Sequence, residues 1–370
     1  MKNSIPKIIV GLSGGVDSSV TALLLKNQGF DVSAMFMKNW VDLQIEEDQC
    51  SSAQDLQDAK KISQTLAIEF HSVNYAPEYW DRVFTHFLDE YKAGRTPNPD
   101  VLCNKEIKFD VFLKEALSLG AEKIATGHYA RVTEENGKYS LLKAIDINKD
   151  QSYFLHALNQ EQLSHALFPL GEMLKPEVRE LAKSMKLKTH DKKDSTGICF
   201  IGEKNFTQFL SQFLPAQPGE MQTPEGKVIA IHQGLMYYTL GQRKGLGIGG
   251  LNFSESEEPW YVIGKRIKEN VLVIAQGHNH PLLFSSKLEA IEVNWISGEL
   301  PSLPLQCSAK TRYRQIDQDC IITPVEHDRY TVEFIQAQRA VTPGQYVVFY
   351  DGDNCLGGGV IDKVPEIIYQ

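Results

Sequence analysis

Over the first two hundred residues, short apolar runs alternate with segments whose apolar side chains recur at helical spacing. That alternation is the sequence form of a doubly wound α/β domain, a parallel sheet covered by helices. The runs predict strands near 7–12, 31–37, 68–73 and 122–127. Helices are expected between them: 17–28 ended by Gly29, 49–66 with Ala53, Leu56, Ala59, Ile62 and Leu66 on one face, 77–92, and 103–119 ended by Gly120. Ligands of such a sheet sit at the carboxyl ends of its strands.

From about 150 to 190 the pattern stays helical, with Pro176 and Glu177 at a helix start, and then breaks at the polar run Thr189 to Ser195. Beyond Pro215 and Pro218 the texture turns to β. A strand is expected around 228–231, a glycine-rich loop around Arg243 and Lys244, and a hairpin from 260–263 and 271–274. The last ninety residues carry short β-propensity runs at 288–295, 306–313, 320–325, 330–335 and 346–350, as in a small barrel. Three domains follow: 1–204, 205–278 and 279–370.

The first predicted strand runs into Gly11-Leu12-Ser13-Gly14-Gly15-Val16-Asp17-Ser18, and a helix opens directly after it. Such a loop presents backbone N–H groups where the helix dipole favours an anion. Its glycines let the main chain approach closely, Ser13 and Ser18 offer hydroxyls, and Asp17 offers a carboxylate for a metal counter-ion. No lysine follows Gly15, so the loop is not a Walker A sequence. Ser-Gly-Gly-Val-Asp-Ser instead resembles the pyrophosphate loop of ATP pyrophosphatases, which cleave ATP between its α and β phosphates.

Composition sets outer limits. The chain has 370 residues, of which 42% are hydrophobic, ample for two or three cores. Residues 1–7 are too short and polar for a secretory signal, and no apolar run of 18 could span a bilayer, so a cytoplasmic protein without a membrane partner is expected. The net charge of −9 argues against a general nucleic-acid coat while leaving room for local basic patches. Cysteines 50, 103, 199, 307, 320 and 355 form no Cys-x-x-Cys pair, so neither a zinc cage nor a disulfide framework is indicated.

Two of those cysteines stand in suggestive surroundings. In Thr96-Pro97-Asn98-Pro99-Asp100-Val101-Leu102-Cys103, the prolines stiffen a turn and Asp100 is placed to cap a helix, which puts Cys103 in its first turn. There the dipole favours the thiolate, although a small buried hydrophobe is an equally good reading. Cys199 lies between Gly197 and Gly202, downstream of Lys192 and Lys193; mobility and positive charge suit a reactive thiol, while Ile-Cys-Phe-Ile also reads as a buried strand.

The pyrophosphate loop, Asn98 to Cys103, Ala125-Thr126-Gly127-His128-Tyr129-Ala130-Arg131, Lys149-Asp150-Gln151-Ser152-Tyr153, the Cys199 segment and Tyr238 to Gly245 occur in one order. Together they resemble the tRNA-specific 2-thiouridylase family over essentially the whole chain. The resemblance implies an adenine-nucleotide alpha-hydrolase-like N-terminal domain, ATP and Mg²⁺ as cofactors, and 2-thiolation of the wobble uridine of tRNA. It assigns ATP to residues 11–18, with Met37 and Gly127 at the adenine end and Asp17 as the metal carboxylate. Cys199 would carry sulfur as a persulfide, Cys103 would act as the second cysteine, and Asp100 would move a proton. Asn98, Pro99, Asp100, Lys149, Asp150, Gln151, Arg312 and Tyr313 would contact the tRNA. A persulfide relay protein or a cysteine desulfurase would supply the sulfur.

Taken singly, Met37 also reads as core, Gly127 as a turn and His128 as a satisfied core residue. For RNA, Lys310, Arg312 and Arg314 alternate with Thr311 and Tyr313, so a strand would put three cations on one face. Further basic positions are Lys186, Lys188, Lys192 and Lys193, Arg243 and Lys244, and Lys265, Arg266 and Lys268. Two other functions remain open: another pyrophosphate-loop synthetase that adenylates a small molecule, and a non-catalytic, redox-sensitive RNA-binding protein.

Overall fold

The computed structural model describes residues 5–40, 51–192, 206–248, 258–326, 328–365 and 368–369. Its first layer system is built on β1 (Lys7–Gly11), β2 (Asp31–Lys38), β3 (Glu69–Asn74) and β4 (Lys123–Ala125), all parallel. The period-two alternation of β1 explains how both faces are covered. Ile8 and Val10 bury against α1 (Val16–Asn27) and α2 (Ser51–Leu66), while Ile9 joins the cluster on the opposite face.

That opposite face is covered by two helical runs. One passes from α3 (Ala76–Tyr79) through a π-helical stretch, Trp80–Phe84, into α4 (Thr85–Lys92). The other passes from α5 (Pro99–Leu102) through a second π-helical stretch, Cys103–Val111, into α6 (Phe112–Ser118). Segments of π-helix mark places where the regular backbone ladder has been given up, frequently at functional sites.

After β4 the chain forms a hairpin, β5 (Ala130–Glu135) and β6 (Lys138–Lys143), turned by Asn136-Gly137 with positive φ at both residues. Helices α7 (Ser152–Leu155) and α8 (Gln160–Ser164) follow, then β7 (Ala166–Leu167) and α9 (Lys175–Ser184). The parallel sheet has the order β3-β2-β1-β4-β7, so its direction of winding reverses between β1 and β4.

The middle region begins with α10 (Phe206–Leu210) and forms a sheet from β8 (Gly219–Gln222), β9 (Val228–His232), β10 (Trp260–Arg266) and β11 (Val271–Gln276). The barrel strands are β12 (Phe284–Trp295), β13 (Leu305–Lys310), β14 (Gln318–Glu326), β15 (Arg329–Arg339), β16 (Tyr346–Asp351) and β17 (Asn354–Lys363). Pairing of β12 with β17 closes the circuit. Two pairings cross the sequence divisions: β6 adds to β17 of the barrel, and β18 (Ile368–Tyr369) returns to β10 of the middle sheet.

The expected strand at 306–313 stops at Lys310, because residues 311–314 form a bend and turn. The three-cation face is therefore absent. Lys310 is buried beside Asp150 and Asp317 and lies over the Tyr350 ring, whereas Arg312 and Arg314 stand exposed on the turn. Among the described residues, no helix is long and apolar enough to cross a membrane.

Candidate functional site

At the end of β1, Leu12 N–H still donates to Met35 O at 2.9 Å, and the backbone then leaves the sheet. Gly14 adopts φ +77°, and a Cβ there would stand 2.5 Å from the Asp55 carbonyl oxygen of α2, so both conformation and space demand glycine. The loop is held from within. Ser18 Oγ accepts from Ser13 N–H at 3.2 Å and donates to Gly15 O at 3.2 Å, and the two serine hydroxyls lie 3.1 Å apart. Gly15 is the N-cap of α1 and supplies no side-chain cap, so the dipole end of a twelve-residue helix opens into the loop.

The carboxyl end of β4 closes the other wall. A Cβ on Gly127 would lie 2.8 Å from Ser18 N and 2.9 Å from Asp17 C, so this strand end packs directly on the first turn of α1. Met37, next to last in β2, lies on the other side, its Cε 3.2 Å from where a Gly11 Cβ would be. The loop thus lies at the reversal between β1 and β4, the crevice in which open α/β sheets bind ligands.

Asp17 does not face the crevice alone. Lys175 Nζ donates to both its oxygens, at 2.7 and 2.8 Å, and Tyr129 OH donates to Oδ1 at 3.0 Å. Lys175 opens α9, its backbone N–H held by Asp146 Oδ2 at 2.9 Å, and its ammonium lies 5.6 Å from the Tyr129 ring centre. The sequence reading missed Lys175; the signal available was a lysine at a helix start, directly before Pro176.

Asn98, not Asp100, caps α5: its Oδ1 accepts from Asp100 N–H at 3.2 Å, because the asparagine sits in extended backbone just before Pro99 at the first helical position. Asp100 is the second helical residue, and Cys103 lies one residue past the first turn, opening the π-helical stretch and 1% exposed. Burial pushes the Asp100 carboxyl up, with the Lys108 charge opposing the shift. Lys108 Nζ stands 3.4 Å from His128 Nε2, and His128 Nδ1 is 2.7 Å from Thr126 Oγ1. Burial first, then Lys108, holds the His128 pKa well below its ordinary value, so the ring is neutral.

The three segments marked for RNA contact come together on this side. Gln151 exchanges two hydrogen bonds with the backbone of Tyr129, at 2.7 and 2.9 Å. Asn104 Nδ2 donates to Phe154 O at 3.0 Å, and the Tyr313 ring lies 4.5 Å from that of Phe154, with Tyr313 OH reaching Lys149 O at 3.5 Å. A continuous chain of contacts therefore runs from Lys175 and Asp17 through Tyr129 and Gln151 to Tyr313. Asp150 is an internal anchor within it, 3% exposed and accepting from Ala144 N–H, Ser152 N–H and Ser152 Oγ.

Comparison with known proteins gives this arrangement its setting. Family models described as the tRNA methyl transferase HUP domain, PRC-barrel domain and aminomethyltransferase β-barrel domain match residues 6–203, 207–276 and 285–361. A tRNA-specific 2-thiouridylase MnmA of Nitrosococcus oceani is 58% identical over 365 residues, 99% of each chain. Proteins of the same name from Methylococcus capsulatus and Halalkalibacterium halodurans are 59% and 58% identical, covering 96% and 97% of this chain and 96% and 95% of their own.

The chain belongs to the tRNA-specific 2-thiouridylase family.

For this 2-thiouridylase family member, the expected fold class stands: a HUP domain with a parallel sheet, a small β-rich middle domain and a β-barrel. Cys199 falls outside the described residues, as does Lys193. Lys192, just before them, donates to Gly14 O at 3.1 Å, Asp55 at 2.8 Å and Asp58 at 3.0 Å, so it braces the pyrophosphate loop against α2. Lys265 likewise leaves the basic surface: it is 1% exposed and donates to Gly94 O at 2.7 Å. Arg243 and Lys244 remain exposed.

The crevice fits a nucleotide triphosphate in its glycine walls and uncapped helix end. Among the described residues, no group of three or more His, Cys, Asp or Glu side chains could hold a metal ion alone. Asp17 would be the carboxylate to hold a Mg²⁺ there.

Proposed function

We propose that this protein carries out ATP-dependent 2-thiolation of the wobble uridine of tRNA, giving 2-thiouridine, AMP and pyrophosphate. The observation that carries the reading is the continuity of the pyrophosphate-loop crevice with the wall formed by Asn104, Gln151, Phe154 and Tyr313. A nucleotide and a splayed-out base can meet there. The 2-thiouridylase names of the relatives support the same substrate and chemistry.

A carbonyl oxygen is a poor leaving group, and Mg²⁺-ATP supplies the adenylyl group that makes the uridine C2 oxygen a good one. Residues 11–18 would hold the phosphates on backbone N–H groups, and Lys175 would add a positive charge where charge develops on the departing pyrophosphate. Met37 and Gly127 would border the adenine. Asp100, its carboxyl shifted up by burial, is placed to move a proton near the base.

Cys199 would bear the sulfur as a persulfide. Its terminal sulfur would attack C2 and expel AMP; the Cys103 thiolate would then attack the Cys199 sulfur, leaving a Cys103–Cys199 disulfide and the thiocarbonyl on the base. Alternatively Cys103 would first free the sulfur as hydrosulfide. A thiol reductant would restore both cysteines, and a persulfide relay protein or a cysteine desulfurase would reload Cys199. Exposed Arg312 would meet the tRNA backbone, with Asn98, Pro99, Lys149, Gln151 and Tyr313 beside the base. Asp150 would shape the wall from inside.

The test is purified protein with ATP, Mg²⁺, unmodified tRNA and a labelled persulfide donor. Pyrophosphate release and labelled 2-thiouridine at the wobble position are expected, both absent without ATP. Labelled tRNA from Cys199→Ser would overturn the carrier role. Pyrophosphate release without sulfur uptake would point to another pyrophosphate-loop synthetase, and no release at all would leave an RNA-binding protein.

A further inference from the structure

Cys307 on β13 and Cys320 on β14 are directly opposed in antiparallel register, with their sulfurs 3.7 Å apart. Cys320 is 2% exposed, whereas Cys307 is partly open to solvent. Opposed residues of an antiparallel pair have Cα atoms about 4.5–5.5 Å apart, within the range a disulfide spans. Closing the bond needs the two sulfurs to approach by about 1.7 Å, within reach of side-chain rotation and a small strand adjustment.

We propose that Cys307 and Cys320 are a dithiol–disulfide couple that oxidises in the folded protein on exposure to a hydroperoxide. Cys307 is the entry point, being the sulfur that solvent reaches. The neighbouring Cys307 sulfur first, and burial second, push the Cys320 thiol up. The Cys307 thiolate attacks the peroxide oxygen, the O–O bond breaks, and a sulfenic acid forms while the alcohol or water departs. The Cys320 sulfur then attacks the Cys307 sulfur; the S–S bond forms, and the Cys320 proton leaves with the sulfenic hydroxyl as water. Two thiols lose two electrons and the peroxide gains them.

The position gives the bond a consequence. The two cysteines stand at the base of the hairpin whose connection carries Arg312 and Tyr313. That connection is already pinned by Gln315, which accepts from Thr311 N–H at 2.9 Å and donates to Gln338 at 2.6 Å. A covalent staple below it would restrict the turn further. Oxidation of the pair needs neither ATP nor tRNA.

The experiment treats reduced full-length protein with hydrogen peroxide, blocks remaining thiols with one isotopic form of iodoacetamide, reduces, and labels with the other. Trypsin cuts at Lys310, Arg312 and Arg314, which separates the two cysteines onto different peptides. Both cysteines should carry the second label, and a digest taken before reduction should hold a linked peptide pair that dithiothreitol dissolves. Cys307→Ser should abolish the link, and Cys320→Ala should instead drive Cys307 on to sulfinic acid. If both residues keep the first label at peroxide levels that oxidise free cysteine, or if Cys307 links elsewhere, the proposal is overturned.

Discussion

Lys175 Nζ donates to both carboxylate oxygens of Asp17, at 2.7 and 2.8 Å, across 158 positions of sequence. The pair stands at the mouth of the pyrophosphate loop, and the lysine is 7% exposed, so its charge is little screened. Lys175→Met should lower the rate of pyrophosphate release by about 10²-fold or more, the scale of losing one preorganised donor to developing charge. Lys175→Arg should restore only part of it, because a planar guanidinium does not reproduce a point charge. Single-turnover pyrophosphate release with tRNA present measures the effect; an unchanged rate would remove Lys175 from the reaction.

Gly127→Ala should weaken ATP binding, because the new methyl group would be driven into Ser18 N and Asp17 C, displacing the first turn of α1. Overpacking of this kind costs about 1–3 kcal/mol, so ATP affinity should fall by about 5- to 150-fold. Calorimetric titration with ATP checks it, with thermal melting alongside to separate loss of binding from loss of fold.

Arg312→Ala should weaken tRNA binding and reduce the dependence of log affinity on log salt by about one contact. Lys310→Ala should behave differently. Its ammonium is buried at 3.9 Å from Asp150 and 3.6 Å from Asp317, so its removal should lower the melting temperature while leaving the salt slope unchanged. Filter binding over a salt series separates the two.

Asp100→Asn should reduce thiolation by about 10²–10⁴-fold if the carboxyl moves a proton, and should also remove the acid limb of the pH–rate profile. Burial raises the Asp100 pKa, so that limb should lie above the usual carboxylate range in the unsubstituted protein. A variant that slows the reaction while keeping the limb would limit Asp100 to shaping the helix start.

Lys265→Met should alter the pH dependence of stability. Burial lowers the Lys265 pKa from 10.5 to about 7, so the folded state must strip or bury a charge that the unfolded chain keeps in water. Between pH 7 and 10.5 the unfolded chain binds more protons at this site, so the penalty is full below about 7 and fades as pH rises to 10.5. The variant should therefore gain on the parent as pH falls from 10.5 to 7, and hold a constant difference below that. Melting temperatures across this range provide the check. The bond to Gly94 O also ties the middle sheet to the chain entering α5, so the variant should lose thiolation rate more than ATP affinity.

Strands β1, β2 and β4 could be read directly, because they lie inside the sheet and are largely buried, whereas the edge strand β3 shows only an alternation of apolar and polar residues. Strands β5 and β6 escaped that criterion: Glu134, Glu135 and Lys138 are exposed, and polar residues dilute both runs. The Asn136-Gly137 turn was the available signal. Strand β17 was missed because Gly357, Gly358 and Gly359 look like a loop, whereas their backbones pack so tightly that a Cβ on Gly357 would lie 1.9 Å from Asn294 O. Among the lysines, composition could not separate Lys192, Lys265 and Lys310, each turned inward, from exposed Lys244.

The sequence by itself determined the pyrophosphate loop, the strand-turn-helix context that aims it, the family, and the order of the segments that surround it. These are local matters, set by glycine's backbone freedom and by hydrophobic period. Tertiary structure alone decided that Lys175 faces Asp17, that Gln151 latches onto Tyr129, that Asn98 and not Asp100 caps α5, and that Cys307 meets Cys320. The role of a charge or a thiol depends on how far it is desolvated and on what opposes it, and those partners arrive from distant parts of the chain.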